Sequence, residues 1–443
     1  MNKNKIIFAI LGAVLVLIII FMAFTLRSST ETTNTSTSNS WFSIWIVWDS
    51  QDSFNDFLSE FKEANPVYAN KNNITIESFS DYESYFYALV SAFSKDQWPD
   101  IFMMSGAEQS VLEDQIVGID PAIISPSEFR KLYRWVFWDD LIERTGDGVE
   151  FLRWVPVWYE SLWVYYNRRY FTSEDFESWT ALGSAVSDIT EKNNGSIIPL
   201  GLWKWSGTVH AGDIMTQLMV LWGGESLDTL QSQSITQAFQ VYGDYADADG
   251  DNAYNRLLSN NIEKNNLDLF SLGEVAAVIG YPRTLMDIDD KWYRSSFLLA
   301  TSFPSYVWSE HRTLANYNYF VINKDSADTT FALDLLSFMT TDDGAEDYLD
   351  AFPYYLPAKI SLEDDMFEEK VDEWYNVVYQ DFYDRNSILT SFNAGIKSLY
   401  DAQILTLLDS EEISVSWFDS LRKILLCTTG KVLTLENLSQ NCR

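Results

Sequence analysis

The chain holds little of the chemistry that catalysis by thiols, imidazoles or protein-bound metals requires. Its 443 residues include two cysteines, Cys427 and Cys442, and two histidines, His210 and His311. No cysteine or second histidine stands at a spacing that would complete a zinc site or a histidine-dependent triad, so neither is expected. Both cysteines lie in the C-terminal tail. Outside the cell they can close a local loop worth about 3 kcal/mol, or they remain free thiols. Basic residues are also scarce, with 30 Lys and Arg against 64 Asp and Glu and a net charge of −34. Such a field repels nucleic acid and anionic membrane surfaces and does not steer anionic ligands inward. Neutral or cationic solutes are the easier fit. The chain also lacks a phosphate-binding glycine loop, a dinucleotide fingerprint and a nucleophile elbow, and no cofactor is expected.

Long apolar runs are absent except for one. Ile6 to Leu26 is uncharged, spans twenty-one residues and follows Lys3 and Lys5, which is long enough to cross a bilayer. The positive-inside rule places everything after Arg27 outside the cell. Residues 1–27 therefore read as a single-pass membrane anchor. The alternative, a cleaved signal peptide, usually has an apolar region of about 7 to 15 residues and a small-x-small cleavage site. Residues 28–40, SSTETTNTSTSNS, contain nothing to bury and read as a flexible linker.

Beyond the linker the pattern alternates. Phe42 to Trp48 reads as a strand, and Asp49 to Ser53 supplies capping residues for a helix with apolar positions at Phe54, Phe57, Leu58 and Phe61, ended by Asn65-Pro66. A strand over Ile74–Ile76 and a helix over Tyr82–Phe93 follow, and Pro99–Met104 opens a third strand. This order predicts parallel strands with helical crossovers. Ligands of such sheets bind at the carboxyl ends of the strands, which points to the loops Asp49–Ser53 and Ser105–Gln109. Phe331, Leu335, Leu336, Phe338 and Met339 form a core helix stripe, and Asp342-Asp343-Gly344 starts another helix. The acidic stretch Asp244–Asp251 fails as a calcium loop: with Gly250 at the sixth place, Tyr245 takes the first and Arg256 the twelfth.

The segment Val155–Phe171, VPVWYESLWVYYNRRYF, reads as a buried strand followed by a helix start. Glu160 is its single carboxylate and must be paired or hydrogen-bonded there, since burying it alone costs several kcal/mol. The segment resembles the hinge crossing of the extracellular solute-binding proteins of ABC importers, of the sugar-binding or maltose-binding type. The resemblance extends in order through Trp45, Pro99-Asp100-Ile101, Tyr166-Asn167 with Phe171, Ser178-Trp179 with Leu182, and Gly223-Gly224. It continues through Gly273–Tyr281, Asn318–Ile322 and Leu356-Pro357-Ala358-Lys359, and so covers most of residues 41 to about 400.

The resemblance implies an α/β fold of the periplasmic-binding-protein type, with two doubly wound lobes about a hinge. Lobe 1 would comprise 41–157 and about 305–357, and lobe 2 would comprise 158–304 and about 358–425, leaving 426–443 as a tail. It implies binding without catalysis: a small polar solute, foremost a sugar or oligosaccharide, is enclosed between the lobes and passed to an importer permease. The candidate contacts are Asp49, Gln51 and Glu108 from the first lobe, with Glu160, His210, Tyr281 and Arg283 from the crossing and the second lobe. Two alternatives stay open on the residues alone. One is an anchored sensor of the same ligand, and the other is an extracellular glycoside hydrolase using two carboxylates.

Glycine is under-represented and tryptophan is abundant, at 19 and 17 residues; average usage of about 7% would give roughly 31 glycines. Trp48, Trp98, Trp158, Trp163, Trp203 and Trp205 stand where turns or small residues are expected. Either several of these codons are UGA triplets read as glycine in the source organism, or the chain has a tryptophan-rich cleft for stacking on sugars. Trp45 and Trp179 match tryptophans of the family and are expected to be authentic.

Overall fold

The computed structural model describes residues 41–93, 97–105, 115–119, 123–152, 154–202, 207–223, 232–246, 264–285, 298–305, 312–352, 354–363 and 388–390, with a few isolated positions. Strand β1 (Phe42–Val47) buries Phe42, Ile44, Ile46 and Val47. Helix α1 (Gln51–Ala64) follows and buries Phe54, Phe57, Leu58 and Phe61. That spacing puts all four on one helical face. Ser50 is the N-cap, its hydroxyl accepting from the Ser53 amide at 3.0 Å. This leaves Asp49 free to turn inward. Strand β2 (Ile74–Phe79), helix α2 (Tyr82–Phe93) and strand β3 (Ile101–Ser105) complete the alternating pattern.

Strands β1, β2 and β3 are parallel, as the alternation predicts. The sheet is completed from elsewhere in the chain. Strand β4 (Ile116–Val117) lies at one edge, and β12 (Asn318–Asn323) inserts antiparallel between β3 and β4, giving the order β2-β1-β3-β12-β4. Asp100 secures the entrance of β3. Its carboxylate accepts from the Ser43 amide at 2.8 Å, the Ser326 hydroxyl at 2.8 Å and the Ala327 amide at 2.5 Å. A buried carboxylate with three donors is compensated rather than costly. Helices α9 (Thr329–Thr340) and α10 (Asp342–Ala351) return over α1, with Phe61 against Phe331, Phe57 against Phe338 and Phe57 against Tyr348. Gly344 permits the tight junction between α9 and α10, because a Cβ there would lie 2.1 Å from the Phe338 carbonyl oxygen.

A second sheet has the order β10-β8-β9, built from β8 (Trp163–Asn167), β9 (Ala277–Gly280) and β10 (Leu298–Ser302). Its strands pair antiparallel, with one parallel bridge between Ile198 and Val275. The doubly wound pattern expected for this half is therefore not what these described strands form. The core on this side draws on helices α5 (Trp179–Lys192), α6 (Ala211–Leu221) and α7 (Ser232–Ala246). Every residue of α6 is buried, the polar Asp213, Thr216 and Gln217 included, and Gln217 meets the backbone of Arg312 and Leu314 through hydrogen bonds of 2.8 and 2.6 Å. Asp244, Tyr245 and Ala246 lie at the end of α7, and residues 247–251 of the acidic stretch lie outside the described residues.

Val155–Phe171 is not one strand running into a helix. It forms β7 (Trp158–Tyr159), breaks at Glu160-Ser161-Leu162, and resumes as β8. Asn167 then opens a turn, its Oδ1 accepting from the Arg169 amide at 3.0 Å. The next α-helix waits until Trp179, capped by Ser178. Among the described residues no helix is long and apolar enough to cross a membrane. Ile6–Leu26, Glu108, Trp203, Trp205, Cys427 and Cys442 lie outside the described residues.

Candidate ligand-binding site

Two segments cross between the sheets, and they pair where the sequence carries its anomalous carboxylate. Glu160 and Asn316 exchange both backbone hydrogen bonds, each at 2.8 Å. The Asn316 side-chain amide donates to Glu160 Oε1 at 2.9 Å, and Arg283 Nε donates to Oε2 at 2.8 Å. The Glu160 side chain is fully buried and that of Arg283 is 12% exposed. The compensation required of a carboxylate in an apolar run is thus supplied by one cation and one amide. Burial pushes the Glu160 carboxyl above its usual range, opposed by Arg283 and Asn316.

Asp49 comes from the other side, at the carboxyl end of β1. It is fully buried and accepts hydrogen bonds from the hydroxyls of Tyr348, on α10, and of Tyr355, the latter at 2.8 Å. The Ser78 hydroxyl, on neighbouring β2, donates to the Asp49 carbonyl at 2.5 Å. Burial raises the Asp49 carboxyl to about 7 against the lowering by both tyrosines and by Arg283, while Glu160 adds a like charge. These mutual effects mark Asp49, Glu160 and Arg283 as one electrostatic cluster.

Tyr281 and Arg283 leave the carboxyl end of β9, which follows a turn at Gly273 with a φ of 73°. The Tyr281 ring lies 5.3 Å from the Arg283 guanidinium and meets the His210 ring edge-on at 4.8 Å. His210 opens α6, and its Nδ1 lies 3.7 Å from Asp213 Oδ2, an electrostatic rather than a hydrogen-bonded separation. Burial drives the Tyr281 hydroxyl well above its ordinary range, with Asp213 and Glu160 adding to the effect.

Five of the seven sequence candidates therefore converge: Asp49, Glu160, His210, Tyr281 and Arg283. Gln51 is exposed at the start of α1, and Glu108 lies outside the described residues. Sequence reasoning missed Tyr348, Tyr355, Asn316 and Asp213. Asp213 carried one available signal, its position three residues after His210 at the head of a helix. Two indoles also enter the cluster. The Arg283 guanidinium carbon lies over the Trp48 ring, 3.7 Å from its centroid, and Trp158 stacks on Tyr355 with centroids 3.7 Å apart and planes 3° from parallel.

Acceptors, donors and aromatic faces are held here between two hydrophobic cores, at strand carboxyl ends and on the paired crossings. The fold and site together define a two-core α/β binding protein. A family profile described as bacterial extracellular solute-binding protein matches residues 57–374, and the chain belongs to that family. Its members bind solutes and are not enzymes. An ABC substrate-binding protein of Listeria monocytogenes in complex with cycloalternan is similar in structure, with a TM-score of 0.64 and 13% identity over 87% of this chain and 97% of that one. The sugar-binding protein MalE of Xanthomonas citri is similar with a TM-score of 0.63 and 12% identity, covering 90% of this chain and 97% of that one. A solute-binding protein of Thermotoga lettingae bound with α-D-tagatose gives 0.62 and 14%, over 88% and 99%. The architecture is thus periplasmic-binding-protein-like. A search among curated proteins returned no match.

Proposed function

We propose that this chain captures a small polar solute, a sugar or oligosaccharide, between two lobes that close about the Glu160–Asn316 crossing, and delivers it to an ABC-type importer. The observation that carries the reading is the convergence of Asp49 from the first sheet with Tyr281 and Arg283 from the second, on a hinge carboxylate already held by Asn316. Carboxylates and a guanidinium beside the Tyr281 ring suit a ligand rich in hydroxyls and apolar ring faces. The saccharides bound to several structural relatives support the same ligand class.

In this reading lobe 1 comprises 41–157 with about 305–357, and lobe 2 comprises 158–304 with about 358–425. Lys3, Lys5 and the apolar run Ile6–Leu26 would tether the protein outside the cell through the 28–40 linker. Solute capture is tested by titrating the protein with neutral mono- and oligosaccharides while following intrinsic fluorescence and looking for hydrolysis products. Saturable binding of an intact sugar, lost in Arg283→Ala, is the expected result. Turnover of the sugar without saturable binding would reject the reading.

A further inference from the structure

The Trp48 ring covers Arg283 and the Trp158 ring covers Tyr355, and these two residues contact the carboxylates of Glu160 and Asp49. We infer that the space these rings fill is the ligand chamber and that the functional protein carries glycine at both positions. The inference rests on the solute-capture reading for the chamber, and on backbone and ring geometry for the glycines.

Trp48 has a φ of 69°. Apart from glycine, the described residues with positive φ are Trp48, Asn194 and His210. Asn and His visit that region readily, whereas a bulky side chain there is an outlier and glycine is the residue it favours. The position is a turn that must drop the chain from β1 into Asp49, whose carboxyl is then fixed by Tyr348 and Tyr355. The ring of the indole at 48 meanwhile lies 3.7 Å from the Arg283 guanidinium carbon, so it covers the cation from the β1 side.

Trp158 shows the same conflict in its packing. Its ring centroid is 3.7 Å from that of Tyr355 with the planes 3° apart. Aromatic pairs prefer offset or edge-on arrangements with centroids about 4.5–7 Å apart, so this near-eclipsed sandwich is a forced contact. Trp158 is wholly buried with one face taken by Tyr355, which denies it the role of a stacking platform for sugar. Its neighbour across the ladder is Pro357. Glycine at 158 leaves that pairing intact and frees the Tyr355 ring. The composition points the same way, with 19 glycines where roughly 31 would be ordinary.

A single codon explains both positions if UGA is read as glycine in the source organism and as tryptophan in this sequence. The coding DNA is the first test: TGA at codons 48 and 158 is expected, and TGG at either overturns the inference. Mass spectrometry of the corresponding peptides from the source cells should show glycine, and tryptophan there overturns it independently of any binding. The third test titrates the chain as written and its Trp48→Gly/Trp158→Gly form with glucose, maltose and maltotriose. The double variant should bind at least about tenfold tighter. Equal affinity of both forms overturns the chamber assignment. If the codons are TGA and neither form binds, the glycines stand and solute capture is what fails.

Discussion

Asp49 joins the burial of a charge to a pH dependence that can be measured. Its carboxyl lies at about 7 because burial outweighs the two tyrosine donors. The folded chain therefore keeps a proton that the unfolded chain releases above about pH 4. Stability attributable to this group is complete below about pH 4, falls as the pH rises toward about 7, and is flat above that. The loss is of order 4 kcal/mol, and denaturant titrations across that range should find the slope reduced in Asp49→Asn. Glu160 and Arg283 give the second prediction at this scale. Their contact at 2.8 Å is between a fully buried carboxylate and a nearly buried guanidinium. Arg283→Ala strands the carboxylate and should cost about 3–5 kcal/mol, whereas a double replacement by apolar residues should recover part of that loss. Urea denaturation of the single and double variants checks it. The sequence exposed Glu160 as a carboxylate in need of a partner; that the partner is Arg283, 123 residues further on, was not legible in it.

At the scale of elements, local patterns were read well and long-range insertions were not. The cap and apolar stripe of α1, the helix Tyr82–Phe93 and the succession of α9 and α10 were legible because each is specified within a turn or two of chain. The insertion of β12 between β3 and β4 was not, since nothing in the run Asn318–Asn323 names its neighbours. The hinge segment misled for a related reason. Its aromatic and β-branched residues favour strand throughout, but the crossing demands a break at Glu160-Ser161-Leu162 that residue preference does not report. The α9–α10 junction offers a test. A Cβ at Gly344 would press into the Phe338 carbonyl oxygen at 2.1 Å, so Gly344→Ala should destabilise the protein by about 1–3 kcal/mol. Thermal unfolding should record a lowered midpoint, and an unchanged midpoint would mean that the junction relaxes freely.

For the molecule as a whole, the net charge of −34 dominates the response to solvent. Self-repulsion on that scale weakens the compact state. Raising the ionic strength from about 0.01 to about 0.15 M shortens the screening length from about 30 to about 8 Å, and the melting temperature should rise over that interval. A melting temperature that falls or stays constant would show that local ion pairs such as Lys71–Asp328 and Arg130–Glu150 outweigh the global repulsion.

Composition and local pattern alone determined that this chain holds only two cysteines and two histidines, that its net charge is strongly negative, and that strands and helices alternate from Phe42 to Met104. These properties are sums over residues or are encoded within a few positions of chain. Only the tertiary structure decided which polar groups meet. Asp49 finds Tyr348 and Tyr355 at 299 and 306 residues' distance, and Glu160 finds Asn316 at 156. Such partners are set by where the two crossings run between the cores, and no local periodicity carries that information. The tertiary structure also located two of the tryptophans, placing their indoles against the Arg283 guanidinium and the Tyr355 ring of the candidate site.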